Sequence, residues 1–270
     1  MRVGLSGAFW DQESTGSGQY IRHLLPALQA LAPEDEWLLL SPRSLRRSAT
    51  SDGVAESLLA TPFDRLHGDL AKVWYEQMGF PRACRSMGVH VAHVPYFGPP
   101  LCPAVPTVVT IHDLIPRILP GYRGALRVRA YMRLVAQAAR RAAKVVTDSH
   151  ASARDIRRIL RIPEERIRVI PLAVDGRYRP LSPEERRPVL DRLRVTWPYL
   201  LYLGGFDRRK NVTGLLQALV RALPKLDDVP LLVAGRLPEQ GSAFAPDPRP
   251  LAQNLGLERR VRFLGWVEEA

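Results

Sequence analysis

The sequence is poor in the residues that build covalent or metal-held scaffolds. Only two of its 270 residues are cysteines, Cys84 and Cys102, with no Cys-x-x-Cys pair and no histidine at ligand spacing. That excludes a disulfide framework and a structural zinc site, and fits two free thiols in a reducing cytosol. Lysine is scarce as well, occurring only at Lys72, Lys144, Lys210 and Lys225. No run approaches the ~18 apolar residues of a membrane span. The opening Met1-Arg2-Val3-Gly4-Leu5 meets Asp11 before any secretory leader can form. There is no Asp-x-Asp to hold a divalent metal against a diphosphate, so no metal and no bound cofactor are expected. A Walker loop, a Gly-x-Ser-x-Gly elbow and a kinase motif set are absent too.

Arginine is abundant. It accounts for 35 of the 39 basic residues, sets a net charge of +12, and is spread from Arg2 to Arg262. A nucleic-acid binder concentrates its cations on one face or segment, so no nucleic acid is expected as a partner. Dispersed arginine fits anionic partners such as phosphates or acidic lipid. With 46% apolar and 24% charged residues the composition is that of an ordinary globular protein, and the length suits two domains.

Apolar periodicity alternates between strand and helix along the chain. Strands are predicted at Val3–Phe9, Trp37–Leu40, Val89–Val94, Pro106–Ile111, Lys144–Thr147 and Arg166–Ile170. Helices are predicted at Gly18–Leu31 and over 70–86, 123–143 and 150–160, with 42–69 as an irregular connection. Residues 173–195, rich in Pro and Arg and carrying Asp175-Gly176, have the composition of a linker between an N-terminal domain over 1–172 and a C-terminal one over 196–270. The alternation then restarts, with strands at 199–203, 230–234 and 260–264 and helices at 210–223 and 248–256. Such alternation predicts an α/β protein of two doubly wound, Rossmann-like parallel-sheet domains. The second offers only three strands and is expected to be incomplete, and Gly265-Trp266-Val267-Glu268-Glu269-Ala270 reads as the start of another helix.

Three segments can carry chemistry. Gly16-Ser17-Gly18 lies between the first strand and the first helix, where glycines let backbone N–H groups approach a phosphate. A plain flexible turn and a ligand-facing loop both fit it. A dinucleotide fingerprint fits poorly, because Ile21 stands where a third glycine belongs and Ser41 where an acid belongs. His112 follows a short buried strand, at the strand end where open α/β sheets bind ligands, although a lone histidine often serves only structure. Gly204-Gly205-Phe206-Asp207-Arg208-Arg209-Lys210-Asn211 runs from strand through two glycines and three cations into a helix. Cations there oppose the helix dipole unless an anion binds between them. The arginine-rich helix at 123–143 fits a solvated outer face better than a membrane-lying one, because the sheet needs its apolar stripe.

Taken in order, the Gly-rich loop, His112-Asp113-Leu114-Ile115-Pro116, Val145-Val146-Thr147-Asp148-Ser149, Val169-Ile170-Pro171-Leu172-Ala173-Val174-Asp175 and Tyr202-Leu203-Gly204-Gly205 through Arg209-Lys210-Asn211 resemble the family-4 glycosyltransferases. The resemblance continues through Leu232-Val233-Ala234-Gly235 and Val261-Arg262-Phe263-Leu264-Gly265. It implies a GT-B fold and metal-independent transfer of a sugar from a nucleotide-sugar donor, with retained configuration, to a saccharide or lipid-linked acceptor. The mannosyl- and rhamnosyltransferase-like group of cell-surface polysaccharide assembly is the nearest in kind. By the same resemblance Arg209 and Lys210 bind the donor diphosphate, Gly204 and Gly205 shape the donor loop, His112 contacts the donor sugar, and Gly16 and Gly18 line the site near the diphosphate.

Two departures accompany the resemblance. Gly205 stands where many relatives carry arginine, and the family's Glu-x(7)-Glu segment has no counterpart, so a C-terminally truncated chain lacking much of the donor site is expected. A non-catalytic remnant or interaction module of such an enzyme is the alternative; an NADP-dependent oxidoreductase using Gly16, Gly18 and Arg43 is a more distant one. The expected location is the cytoplasm, with peripheral contact at the inner face of an anionic membrane.

Overall fold

Three leucines in succession, Leu38, Leu39 and Leu40, are buried within one strand, which only a strand covered on both faces permits. The computed structural model describes residues 1–13, 15–45, 55–65 and 68–267 and places them in two units, Met1–Val174 and Asp175–Ala270. In unit 1, β1 (Arg2–Ser6), α1 (Gly16–Leu31), β2 (Glu36–Pro42) and β3 (Ala55–Leu59) come first. Helix α2 (Gly68–Trp74) then runs through a wide π turn (Tyr75–Gly79) into α3 (Phe80–Ser86). β4 (Val91–Val94), β5 (Thr107–Thr110), α4 (Ile115–Ile118), α5 (Leu126–Ala139) and β6 (Lys144–Thr147) follow, then α6 (His150–Asp155), a second π turn (Ile156–Leu160) and β7 (Ile167–Val169).

The seven strands form one parallel sheet in the order β3-β2-β1-β4-β5-β6-β7. The chain winds outward from β1 to β3 and then returns to β1's other side. That places the topological switch point between β1 and β4, the crevice in which such sheets bind ligands. Strand period two sends Leu38 and Leu40 to the core on one face, with Tyr75, Phe80 and Val109, and Leu39 to the other, with Leu5, Ile21 and Leu25.

In unit 2, α7 (Pro183–Leu193) precedes β8 (Leu200–Leu203), α8 (Val212–Ala222), β9 (Leu231–Ala234), α9 (Pro248–Asn254) and β10 (Val261–Gly265). Its parallel sheet has the order β10-β9-β8. Val212, Leu216 and Leu219, at helical spacing, bring one face of α8 onto Phe206, Val233 and Leu257. The central strand β9 is buried throughout, whereas on the edge strand β8 Leu201 is 55% and Leu203 75% exposed.

The structure departs from sequence expectation in three of the predicted segments. The stretch 42–69, read as irregular, contains β3; its residues 46–54, 66 and 67 lie outside the described ones. Helix α5 occupies 126–139 rather than 123–143, because Gly124 turns the chain with φ of +65° just before it. The segment 173–195 is not a plain linker, since it holds α7. There Ser182 accepts from the Glu185 N–H while the Glu185 carboxylate accepts from the Ser182 N–H, a capping box that starts the helix despite its prolines. The helix expected at the last residues falls on 268–270, outside the described set.

Candidate functional site

Side chains gather at the carboxyl ends of the unit 1 strands. His112 follows β5 and Asp148 follows β6, so two neighbouring parallel strands deliver them side by side, 36 residues apart in sequence. The His112 Nδ1–H donates to Asp148 Oδ2 at 2.8 Å, since a carboxylate can only accept. The ring meets Tyr20 of α1 edge to face at 4.8 Å. Ser152 of α6 donates to the His112 carbonyl at 2.8 Å, tying down the backbone as well. His112 Nε2 and Asp148 Oδ1 are enclosed with no protein hydrogen-bond partner. A fixed imidazole with one free nitrogen is equipped to hold a hydroxyl, and leaving such a group unsatisfied costs about 1–3 kcal/mol.

A second polar cluster lies at the ends of β1 and β4, the two strands of the switch point. Ser6 Oγ stands 2.9 Å from the Tyr75 hydroxyl and 3.1 Å from that of Tyr96, and Tyr75 donates on to the Leu40 carbonyl. Glu76, in the π turn, has a fully buried carboxylate. It accepts from Lys72 Nζ at 2.7 Å and from the Tyr131 hydroxyl at 2.9 Å. Burial raises the Glu76 carboxyl above its ordinary range against the opposing pull of Lys72 and Tyr131. Lys72 Nζ also lies 4.3 Å from the Tyr131 ring centre and 6.0 Å from that of Phe9. A Cβ on Gly98 would stand 2.6 Å from Glu76 Oε1, so glycine there makes room for the carboxylate.

The two glycines predicted in this unit differ in kind. Gly18 is needed by the protein itself, because a Cβ there would sit 2.1 Å from the Gln12 carbonyl oxygen. Its N–H is taken by the Thr15 hydroxyl at 3.1 Å, which caps α1. Gly16 faces open space.

In unit 2 the loop after β8 carries Gly204, at a φ of +153°, and the exposed Gly205. Phe206 anchors the loop in the core. Asp207 caps a single tight turn over Arg208–Lys210, and Asn211 caps α8 by accepting from the Gly214 N–H at 3.2 Å. The three cations therefore precede α8 instead of opening it, which relieves the clash with its dipole expected from sequence. Arg209 and Lys210 are exposed, with Arg209 Nε 3.4 Å from Asp207 Oδ1. A cavity of about 230 Å³ opens beside them, lined by Phe206, Arg208, Asn211, Thr213 and Pro248.

The structure thus places Gly16, Gly18 and His112 in unit 1, and Gly204, Gly205, Arg209 and Lys210 in unit 2. Asp148, Tyr20, Lys72, Glu76 and Tyr131 were not singled out from sequence. Asp148 carries a legible signal, a polar residue directly after a buried strand, as His112 does. Lys72 and Glu76 carry none, because a Lys-x-x-x-Glu spacing ordinarily marks a solvated helix face. Among the described residues no three His, Cys, Asp or Glu side chains cluster as metal ligands, and no helix is long and apolar enough to cross a membrane.

Residues 14–177 match the model of Glycosyltransferase Family 4. Over 165 residues the chain is 37% identical to O-antigen chain mannosyltransferase B of Escherichia coli, an alignment spanning 60% of this chain and 42% of that protein. Among solved structures, sucrose-phosphate synthase from Thermosynechococcus elongatus superposes with a TM-score of 0.64 at 19% identity, over 99% of this chain and 71% of the other. Alr3699/HepE from Anabaena, in complex with UDP-glucose, does so with the same score at 17% identity, over 99% and 70%. These likenesses carry the fold.

Proposed function

The chain belongs to glycosyltransferase family 4, and from that premise we propose that it transfers a sugar, with retained configuration, from a nucleotide-sugar donor to a saccharide or lipid-linked acceptor in cell-surface polysaccharide assembly. What supports this is a relative named as an O-antigen chain mannosyltransferase and a structural neighbour in complex with UDP-glucose. The observation that carries the proposal is His112, braced by Asp148 at the strand ends with Nε2 free to hold a sugar hydroxyl.

When the glycosidic bond to the donor phosphate breaks, negative charge builds on the departing nucleoside diphosphate. Arg209 and Lys210 are the cations assigned to it, lying after two glycines that let the loop backbone approach the phosphates. Guanidinium and ammonium then supply the neutralisation that a metal supplies elsewhere, and the reaction proceeds without one. Asp148 holds the His112 Nδ1–H, fixing the tautomer whose Nε2 accepts from the sugar. Lys72, held from behind by the buried Glu76 and by Tyr131 and lying over the Phe9 ring near the switch point, is the polar group assigned to the acceptor side.

The test is calorimetric binding of uridine, guanosine and thymidine diphosphate sugars to the full chain, followed by transfer assays with saccharide and lipid-linked acceptors. Binding of one of them, weakened about tenfold or more by Arg209→Ala with Lys210→Ala and unchanged by EDTA, is the expected result. Binding that needs a divalent metal would overturn the metal-free mechanism. Failure to bind any of them would leave the interaction module as the better description, and saturable NADP binding would favour the oxidoreductase.

A further inference from the structure

Glu76 breaks the rule that a helical Lys-x-x-x-Glu pair lies in solvent. Its carboxylate is fully buried, while Lys72 keeps 25% exposure. A buried ion pair adds little stability that apolar side chains of the same volume would not supply. Glu76 also sits in a π turn, a distortion that helices carry most often at functional sites. The use of the pair lies at its open end, the Lys72 ammonium.

That ammonium has three N–H donors. One goes to Glu76 Oε1 at 2.7 Å and one to the Tyr131 hydroxyl at 2.6 Å, and Tyr131 donates its own proton to Glu76 at 2.9 Å. No acceptor for the third lies among the described residues. The rings of Tyr131, Tyr96 and Phe9 stand around it, with centres 4.3, 5.7 and 6.0 Å from Nζ. Tyr96 is buried, while Phe9 and Tyr131 are half-buried and keep some ring surface open. A held cation with one spare donor beside open ring surface suits a sugar. Sugar hydroxyls take charge-assisted hydrogen bonds, and sugar C–H groups pack on rings.

Charge decides which sugar. Glu76 already balances Lys72, so a carboxylate on the spare N–H would stand only about 5 Å from the Glu76 carboxylate, with little water between them. A neutral hydroxyl takes the same hydrogen bond without that repulsion. Resting on the sugar-transfer reading above, we propose that Lys72 is a specificity-determining residue that holds a hydroxyl of a neutral acceptor sugar and turns uronates away. Glu76 is the positioning residue that sets this preference.

The chain has only four lysines, which makes the experiment direct. The full chain is acetylated briefly with and without saccharide, and labelling at each lysine is read by mass spectrometry. A panel of neutral methyl hexosides is set against the matching methyl uronides. The hexosides should slow labelling of Lys72 severalfold and leave Lys144 and Lys225 unchanged, while the uronides should protect none of them. In Glu76→Gln, which removes the charge and keeps the shape, the order should reverse, with uronides protecting Lys72 at about tenfold lower concentration than in the parent. A merely structural Glu76 would weaken both classes together, and that outcome overturns the proposal. So would uronides that protect the parent as well as hexosides do, or no saccharide protecting Lys72. Circular dichroism melts establish that the variant folds. Where it does not, Lys72→Gln takes its place, expected to weaken hexoside binding about tenfold in ligand-observed NMR, and an unchanged affinity overturns the proposal. Nucleotide sugars supply the internal check. Protection of Lys210 by them reports on the donor reading by itself, so its failure is told apart from failure at Lys72.

Discussion

Leu38-Leu39-Leu40 in β2 and Leu200-Leu201 with Leu203 in β8 are equivalent runs in sequence, yet they meet different fates. In unit 1 the run is at most 7% exposed; in unit 2 its counterparts are 39–75% exposed. The difference lies in their neighbours. β2 has β1 on one side, β3 on the other, and apolar cores over both faces, whereas β8 pairs with β9 alone at the sheet edge. The candidate sites follow the same contrast: His112 is half-buried and held by an aspartate, a tyrosine and a backbone tie, while Arg209, paired with Asp207, and Lys210 are exposed. A parallel strand's composition licenses burial, and its place in the sheet decides whether burial occurs.

The contrast can be pressed hardest at the braced site. His112→Ala should lower the proposed sugar transfer about 10²–10³-fold, the scale for losing one preorganised polar contact, while the variant still unfolds cooperatively. A loss under threefold would show that the bracing serves only structure. Next comes Leu39→Ala, expected to destabilise unit 1 by about 3 kcal/mol in urea unfolding, as cavities in packed cores do.

Acid should separate the units as well. All six histidines lie in unit 1. His93, hydrogen-bonded to Thr110, is brought by burial down to about 4. Its neutral form is favoured in the native state, so its contribution is whole above pH ~6.5 and fades as pH falls towards 4, on the order of 3 kcal/mol. His93→Gln should flatten melting profiles over that window. In unit 2, the Arg179 guanidinium holds Glu185 down at about 2, and Arg249 lowers Asp247. Those contributions are present above the ordinary carboxylate range and are lost only at lower pH. The smallest effect belongs to Leu201→Ser and Leu203→Ser, expected within about 0.5 kcal/mol of the parent in the same urea assay. A destabilisation like that of Leu39→Ala would erase the contrast.

Much of the fold was legible because its strands are short, β-branched or leucine-rich, and separated by helical periods. β3 was missed: Ala55-Glu56-Ser57-Leu58-Leu59 has weak strand character and takes its conformation from pairing with β2. Helix α7 was hidden by Pro183 and Pro188, although Ser182 and Glu185 spelled out its cap. In the site, strand-end position revealed His112. Its pairing with Asp148 depends on which strands are neighbours, and sequence spacing alone does not encode that. Glu76 was invisible because its burial depends on Tyr96, Gly98 and Tyr131, contributed by distant segments.

The wide turn at Tyr75–Gly79 sets how that helix answers to a change of length. A π turn holds one residue more than ordinary winding needs, so α3 keeps the facing it would have in a regular helix one residue shorter. Forcing regular winding on the full-length segment would rotate α3 by about 100° and swing Phe80, Ala83 and Cys84 off the core face together. Removing the exposed Met78 would instead let the helix wind regularly with those three side chains still facing the core. A one-codon deletion, ruinous in an ordinary core helix, has a place here where it can be absorbed.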